Sequence, residues 1–134
     1  MIKDPVDFSL CRDCACAGAR RASRELTRAF DDALRETGVR VTQFNLLATL
    51  VLAGPTAATR LAALLGLERT TLTRNLRPLL RDGLVRFDGD RDRRVRKIAI
   101  TAKGEETARA AFPFWKRAQD AAQARAAGLA THSA

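Results

Sequence analysis

Arginine and threonine side chains are concentrated in one short stretch of the chain, between residues 69 and 77. An arginine can bridge the O6 and N7 atoms of a guanine, and a threonine methyl group can contact the methyl group of a thymine. If the stretch is helical, we expect Arg69, Thr70, Thr73 and Arg74 to read base edges. Arg77, one turn further along, is better placed to contact a phosphate. The alternative is an ordinary solvated helix face.

A second group of cations lies between residues 91 and 97, within a predicted hairpin. Arg93 and Arg94 lie at or just beyond its tip, where an extended guanidinium could enter a narrow minor groove. Arg91 and Arg96 are suited to non-specific phosphate attraction, which depends on salt. From residue 69 to residue 97, ten basic and four acidic residues supply six of the nine net positive charges. The charge therefore favours a polyanionic partner, and we predict double-stranded DNA.

Hydrophobic spacing predicts the helices that hold the first group in place. Residues 68–82 form a helix with one leucine face, and a short helix opened by Thr56 or Thr59 precedes it and ends at Gly66. Upstream, one helix begins near Cys11 or Cys14 and ends at Gly38, and Thr42 caps the next, which ends at Gly54. The expected buried residues of the three central helices are Phe44, Leu47, Ala48 and Val51, then Leu61, Ala62, Leu64 and Leu65, then Leu72, Leu76, Leu79 and Leu80.

The second half of the chain is predicted to be a hairpin followed by a long helix. Residues 84–87 and 95–100 alternate apolar and polar side chains around a turn-rich segment at 88–92. Thr101 is placed to cap the last helix, which we expect to reach about Ala127 and to kink at Pro113. Residues 128–134 are expected to fray. The fold class is therefore mainly α with a small β-wing.

The order of these motifs resembles that of the MarR family of winged-helix transcription regulators. The resemblance rests on residues 42–44, 61–67, 71–74, 80–85, 92–94 and 101–104, and it covers roughly residues 14 to 122. It implies a winged helix-turn-helix, a homodimer on a pseudo-palindromic DNA site, and Arg94 as the wing arginine. It also implies an N-terminal segment and dimerisation helix at 1–40, a DNA-binding lobe at 41–101, and a C-terminal dimerisation helix and tail at 102–134. Because family members usually continue through another C-terminal helix, we expect a dimer arm that is either smaller or more dependent on the first helix and the N-terminal segment.

Three cysteines occur within six residues, at Cys11, Cys14 and Cys16, and none occurs elsewhere. Arg12, Arg20 and the start of a helix could lower the pKa of a thiol and favour its oxidation. Cys14 and Cys16 are poorly directed for pairing within a regular helix, so a frayed start or a second subunit would have to supply a partner. Three thiolates could instead hold a soft metal or metalloid ion. The third alternative is that they sense nothing.

Aromatic residues offer another possible means of control. Phe30, Phe44, Phe112, Phe114 and Trp115 could line a pocket for an aromatic or anionic small molecule, between the dimerisation helices and the DNA-binding lobe. Aromatic residues at helical spacing are, however, usually core residues.

Catalysis is not expected, since the only histidine is His132 in the tail and no paired carboxylates, metal-ligand spacing or phosphate loop are present. No cofactor or metal is predicted. No apolar run is long enough to span a membrane, and no secretion signal begins the chain, so a cytoplasmic protein is expected.

The sequence therefore predicts a dimeric, sequence-specific transcription regulator, a repressor controlled by thiol oxidation or by a small ligand. Two alternatives stay open. One is a non-specific architectural DNA-binding protein that uses charge alone. The other is a metal- or metalloid-responsive regulator that uses Cys11, Cys14 and Cys16.

Overall fold

A computed structural model of the protein describes residues 5–89 and 96–133, with the backbone alone from residue 129. A short 3-10 helix at Phe8–Asp13 precedes the first α-helix, and another at Arg35–Thr37 follows it. The α-helices are α1 (Ala15–Ala33), α2 (Val41–Ala53), α3 (Ala58–Leu65), α4 (Arg69–Arg81) and α5 (Ala102–Ser133). The strands are β1 (Thr56–Ala57), β2 (Val85–Asp88) and β3 (Lys97–Ile100). The predicted class, mainly helical with a small β-wing, is confirmed.

The junction between α1 and α2 differs from the prediction. α1 ends at Ala33 rather than continuing to Gly38, and α2 begins at Val41 rather than after a Thr42 cap. The Asp31 carboxylate accepts a hydrogen bond from the Val41 backbone N–H at 2.8 Å. The Gln43 side chain accepts one from the Arg40 N–H at 3.0 Å. The Asp31 carboxylate, from the preceding helix, therefore caps α2 in place of Thr42.

The buried face of α2 is rotated from the predicted one. Phe44 and Leu47 are buried as expected, and so are Leu46 and Leu50, whereas Val51 is 43% exposed. On α3, Leu61 and Ala62 are buried, but Leu64, which was also expected to point inward, is 50% exposed. The buried arc of α2 is wide because α2 packs on α1, α3, α4, α5 and β3 rather than on one neighbour along a single stripe.

Two glycine turns of the same type fix the ends of α4. At Gly66, which has φ of 64°, Leu67 N–H bonds to Ala62 O at 2.9 Å. At Gly83, which has φ of 72°, Leu84 N–H bonds to Leu79 O at 2.8 Å. Both are Schellman turns, in which glycine adopts the left-handed conformation without a Cβ penalty. α3 thus turns into α4, and α4 into β2, at fixed angles.

The three strands form one antiparallel sheet in the order β1-β3-β2. β2 pairs with β3 from Val85 opposite Ile100 to Asp88 opposite Lys97. The two-residue β1 adds an outer pairing, with Thr56 opposite Ile98. The predicted hairpin is therefore present, and its base is anchored in the core through Val85 and Ile98.

Thr101 begins α5 as expected. Its hydroxyl accepts a bond from Gly104 N–H at 3.0 Å and donates one to Gly83 O at 2.6 Å. α5 continues past Ala127 to Ser133, so the end of the chain that was expected to fray is helical as far as that residue. α5 packs against both α1 and α2, and it buries Ala108 and Ala111. Among the described residues, no helix is long and apolar enough to cross a membrane.

Candidate nucleic-acid interface

α4 exposes the side chains that its sequence singled out. Leu72, Leu76 and Leu79 are buried on one face and hold the helix against the core. The opposite face carries five side chains that together line a shallow surface cavity of about 370 Å³: Arg69, Thr70, Thr73, Arg74 and Arg77. The structure thus brings all five predicted α4 residues into one outward-facing concavity.

Local hydrogen bonds order part of this face. The Thr73 hydroxyl donates to Arg69 O at 3.0 Å, within the helix. The Arg69 guanidinium donates from Nη1 to the Thr59 hydroxyl on α3 at 3.3 Å. Asn75, which sequence reasoning placed between the faces, is half-buried and donates from Nδ2 to Thr71 O at 2.9 Å. Its amide is committed to the helix rather than to the cavity.

The charge on the α4 face is not neutralised by nearby acids. Elsewhere arginines pair with carboxylates, as in Arg35–Asp32 at 2.7 Å and Arg81–Asp82 at 3.2 Å. Within the described ranges, no ion pair involves Arg69, Arg74 or Arg77. A surface that keeps several unpaired guanidinium groups side by side has a positive potential that attracts polyanions.

The wing is described only at its base. Arg91, Arg93 and Arg94, the other predicted wing contacts, lie outside the described residues. Arg96 is exposed, and its guanidinium carbon lies 4.2 Å from the centre of the Phe87 ring on β2. This is cation–π distance, and it leaves the edge of the guanidinium free to donate hydrogen bonds. Sequence reasoning found Arg96 but missed its aromatic partner, which faces it only once the hairpin forms.

Comparison with known proteins shows which family has this arrangement of helices and strands. The model of the MarR family matches residues 39–95, from the start of α2 into the wing. MosR, a transcriptional regulator of M. tuberculosis, is 42% identical over 86% of this chain and 84% of its own, with a TM-score of 0.78. The chain belongs to the MarR family.

Two further solved structures are similar to this MarR-family chain. MosR in complex with DNA is 46% identical, covers 83% of this chain and 81% of its own, and has a TM-score of 0.74. A probable transcriptional regulator of Pseudomonas aeruginosa is 21% identical over 85% and 86%, with a TM-score of 0.71, and shares the fold. A search among curated proteins found no match. The family consists of DNA-binding transcription regulators rather than enzymes.

The three cysteines lie at or just before the N-terminal end of α1, and all are exposed. Cys14 is the residue that precedes the helix, and its backbone N–H bonds to Cys11 O at 3.2 Å. The backbone N–H of Ala17, and then that of Cys16, stabilise the thiolate and lower the pKa of Cys14. Arg20 does not act on Cys14, since its Nη2 lies 3.7 Å from the sulfur of Cys16. The backbone at the helix start, rather than an arginine, therefore lowers the pKa of this thiol.

No metal site is formed from these thiols. Across residues 5–89 and 96–128, no group of three or more histidine, cysteine, aspartate or glutamate side chains is arranged to hold a metal ion. The three cysteines fall within those ranges, and the metal-responsive alternative stays a prediction.

Of the five aromatic residues that were expected to share one pocket, four line two different cavities. Phe44 stacks on Trp115 with ring centres 5.6 Å apart, and Phe112 lies 5.5 Å from Trp115 on the other side. Phe44 and Phe112 line a cavity of about 470 Å³ between α2 and α5. Phe30 and Trp115 line another of about 700 Å³ between α1, α2 and α5. The structure places these four rings at two cavities, and a ligand pocket lined by them stays a prediction.

Proposed function

We propose that the protein is a dimeric, sequence-specific transcription regulator that represses its target and is controlled by thiol oxidation or a small ligand. One observation carries the DNA-reading part of this proposal. The outward face of α4 presents Arg69, Arg74 and Arg77 with two threonines, and carboxylates pair with none of these arginines in the described parts of the chain. The existence of a DNA complex of MosR, a close relative, supports the same conclusion.

In this function the α4 residues have distinct roles. Arg69, Thr70, Thr73 and Arg74, on the first two turns, contact base edges in the major groove, and Arg77 contacts a phosphate. Arg91, Arg93, Arg94 and Arg96 of the wing reach the minor groove and the backbone alongside.

Sequence specificity is tested by selecting duplexes from a random pool and measuring affinity at fixed salt. Replacing Arg74 by alanine should weaken binding to the selected duplex by about 1–3 kcal/mol and relax the preference at one position. Replacing Arg77 should weaken all duplexes alike and reduce the salt dependence by about one phosphate contact. Arg109→Ala is the matched control, because Arg109 is an exposed arginine on α5 that pairs with Glu105. Equal affinity of the wild-type protein for selected and random duplexes would instead identify a non-specific architectural binder.

A homodimer is proposed from the uncovered surface of the two long helices. None of the 19 residues of α1 is buried, and Leu26 on that helix is 48% exposed. A cavity of about 500 Å³ between α1 and α5 is lined mainly by alanines, including Ala22, Ala29 and Ala118. Exposed apolar surface of this extent is typical of an interface between chains. We assign residues 1–40 and 102–134 to dimerisation and residues 41–101 to DNA binding.

The dimer is tested by sedimentation equilibrium with Leu26→Glu. Loss of an apolar contact and burial of a charge should shift the protein to monomers and weaken binding to a pseudo-palindromic site. Leu64→Glu is the matched control, since Leu64 on α3 has nearly the same exposure, 50%, but lies outside the α1–α5 surface. If both variants sediment like the wild type, α1 is not the dimer interface.

Thiol control is proposed to begin at Cys14, whose pKa is lowered by the backbone N–H groups at the start of α1. The Cys14 thiolate attacks one oxygen of a peroxide, the O–O bond breaks, and the leaving oxygen takes a proton, which leaves a sulfenic acid. A second thiol, from Cys11, Cys16 or the other subunit, then displaces hydroxide, which leaves as water, and a disulfide forms. A bond at this position would alter the start of α1 and hence the proposed dimer.

Both forms of control are tested with the selected duplex in a promoter. Reduced protein should lower transcription in vitro, and peroxide should restore it. Cys14→Ser should bind DNA normally and ignore peroxide, whereas an unchanged peroxide response in that variant would remove Cys14 from the mechanism. A protein that never responds to peroxide but is released by a small aromatic acid would favour ligand control at the cavity beside Trp115.

A further inference from the structure

Arg69 is held by a neutral partner on a different helix. Its Nη1 donates to the Thr59 hydroxyl oxygen at 3.3 Å, and Thr59 lies on α3 whereas Arg69 is the first residue of α4. The two residues are ten positions apart in the chain and are both exposed. Their contact spans the turn at Gly66, so it forms only because that turn brings the start of α3 to the start of α4.

A neutral acceptor has a different effect from a carboxylate. A carboxylate would orient the guanidinium but would also cancel its charge and compete with a phosphate for it. The threonine hydroxyl occupies one of the five N–H donors and leaves the positive charge intact. The remaining donors stay available to DNA, and a guanidinium that is already oriented loses less side-chain freedom on binding.

We propose that Thr59 is a positioning residue of the DNA interface, which holds Arg69 across the α3–α4 turn with its free donors directed at the duplex. The inference rests on the proposed DNA-reading role of α4 and adds to it a residue from the preceding helix. Sequence reasoning considered Thr59 only as a possible helix start, because nothing in the local pattern connects it with Arg69.

The test is a double-mutant cycle on Thr59 and Arg69, with affinity measured for the duplex selected by the wild-type protein. Thr59→Val keeps the shape of the side chain and removes the acceptor, so affinity should fall roughly three- to tenfold. Thr59→Ser keeps the hydroxyl and should bind within about twofold of the wild type. In a protein that already carries Arg69→Ala, Thr59→Val should cause no further loss, because the residue acts through Arg69.

The control is Thr49→Val, which removes a hydroxyl that bonds to Asn45 O at 2.7 Å within α2 and lines neither the α4 cavity nor the α1–α5 surface. It should leave affinity unchanged. Thr59→Ala, measured together with the thermal midpoint of each variant, separates lost positioning from lost folding.

Two results would overturn the proposal. One is unchanged affinity in both Thr59→Val and Thr59→Ala. The other is an equal loss with and without Arg69, which would make Thr59 an independent contact. Failure of the wild-type protein to select any duplex would instead reject the proposed function itself, so the two failures are distinguishable.

Discussion

Replacing Gly104 by alanine is the sharpest test of the junction between the DNA-binding lobe and α5. A Cβ atom at Gly104 would lie 2.0 Å from the carbonyl oxygen of Leu84 and 2.8 Å from Cγ1 of Ile100. The first neighbour is backbone, and the same oxygen accepts a bond from Thr101 N–H at 3.1 Å. Relief of the clash therefore requires a shift of about 1.4 Å, to ordinary contact distance, at the start of α5.

The expected loss of stability in Gly104→Ala is the sum of two destabilising effects and one stabilising effect. Overpacking costs about 1–3 kcal/mol, a weakened hydrogen bond about 1 kcal/mol, and alanine regains up to about 1 kcal/mol of helix propensity. The net loss of unfolding free energy is then about 2 kcal/mol, or roughly 6–10 °C in thermal midpoint for a chain of this size.

Gly18→Ala provides a control of opposite sign. Among the described residues, nothing outside its chain neighbours and its own helix backbone lies within 4 Å of a Cβ atom at Gly18 in α1, so the same substitution should stabilise by about 0.5–1 kcal/mol. Both variants are compared with the wild type by calorimetry at one protein concentration, because self-association adds to apparent stability. If Gly104→Ala is as stable as Gly18→Ala, the described approach of α5 to Leu84 is incorrect.

Three further outcomes are expected. Thr101→Val should lower the free energy of unfolding in urea by about 1–2 kcal/mol because a helix cap is lost. The control, Thr107→Val, should change it by less than about 0.5 kcal/mol. Equal effects of the two substitutions would show that Thr101 is not the cap of α5. Asp31→Ala should lower the free energy of unfolding by about 1 kcal/mol, because it leaves the N–H at the start of α2 unpaired. Asp32→Ala breaks only an exposed ion pair and should lower it by less than about 0.5 kcal/mol. A larger effect of Asp32→Ala than of Asp31→Ala would contradict the capping role of Asp31. Because the pKa of Cys14 is lowered in the fold, its alkylation rate should reach half-maximum at a lower pH in the native protein than in urea, and coincident profiles would contradict this.

The sequence predicted α4 and its surroundings well because local signals agree there. Four leucines at helical spacing, a glycine at each end and a cluster of arginines and threonines all indicate one amphipathic helix. The hairpin and the Thr101 cap were predicted for the same reason, since alternation and turn residues are short-range signals.

Features that depend on distant partners were not predictable in this way. Asp31 caps α2 from ten residues away, and β1 exists only through its pairing with β3. The Arg69–Thr59 and Arg96–Phe87 contacts likewise join separate elements. A periodicity argument also places Val51 on the same face as Phe44, but it cannot tell how wide an arc the neighbouring helices cover.

Two hydrogen bonds join the end of α4 to the start of α5. The Thr101 hydroxyl bonds to Gly83 O at 2.6 Å, and Lys103 Nζ bonds to Asp82 O at 2.8 Å. Both acceptors are backbone atoms at the end of α4, while both donors belong to the start of α5. A movement of α5 would therefore act directly on the end of α4.

In a dimer built on α1 and α5, the span between the two α4 helices must match about 34–36 Å, one turn of DNA. A small rotation of α5 in the dimer interface would move each α4 away from that span. Under the proposed function, regulation at the cysteines or beside Trp115 would therefore need no contact with the α4 face, since it would need only to alter how α5 packs on α1.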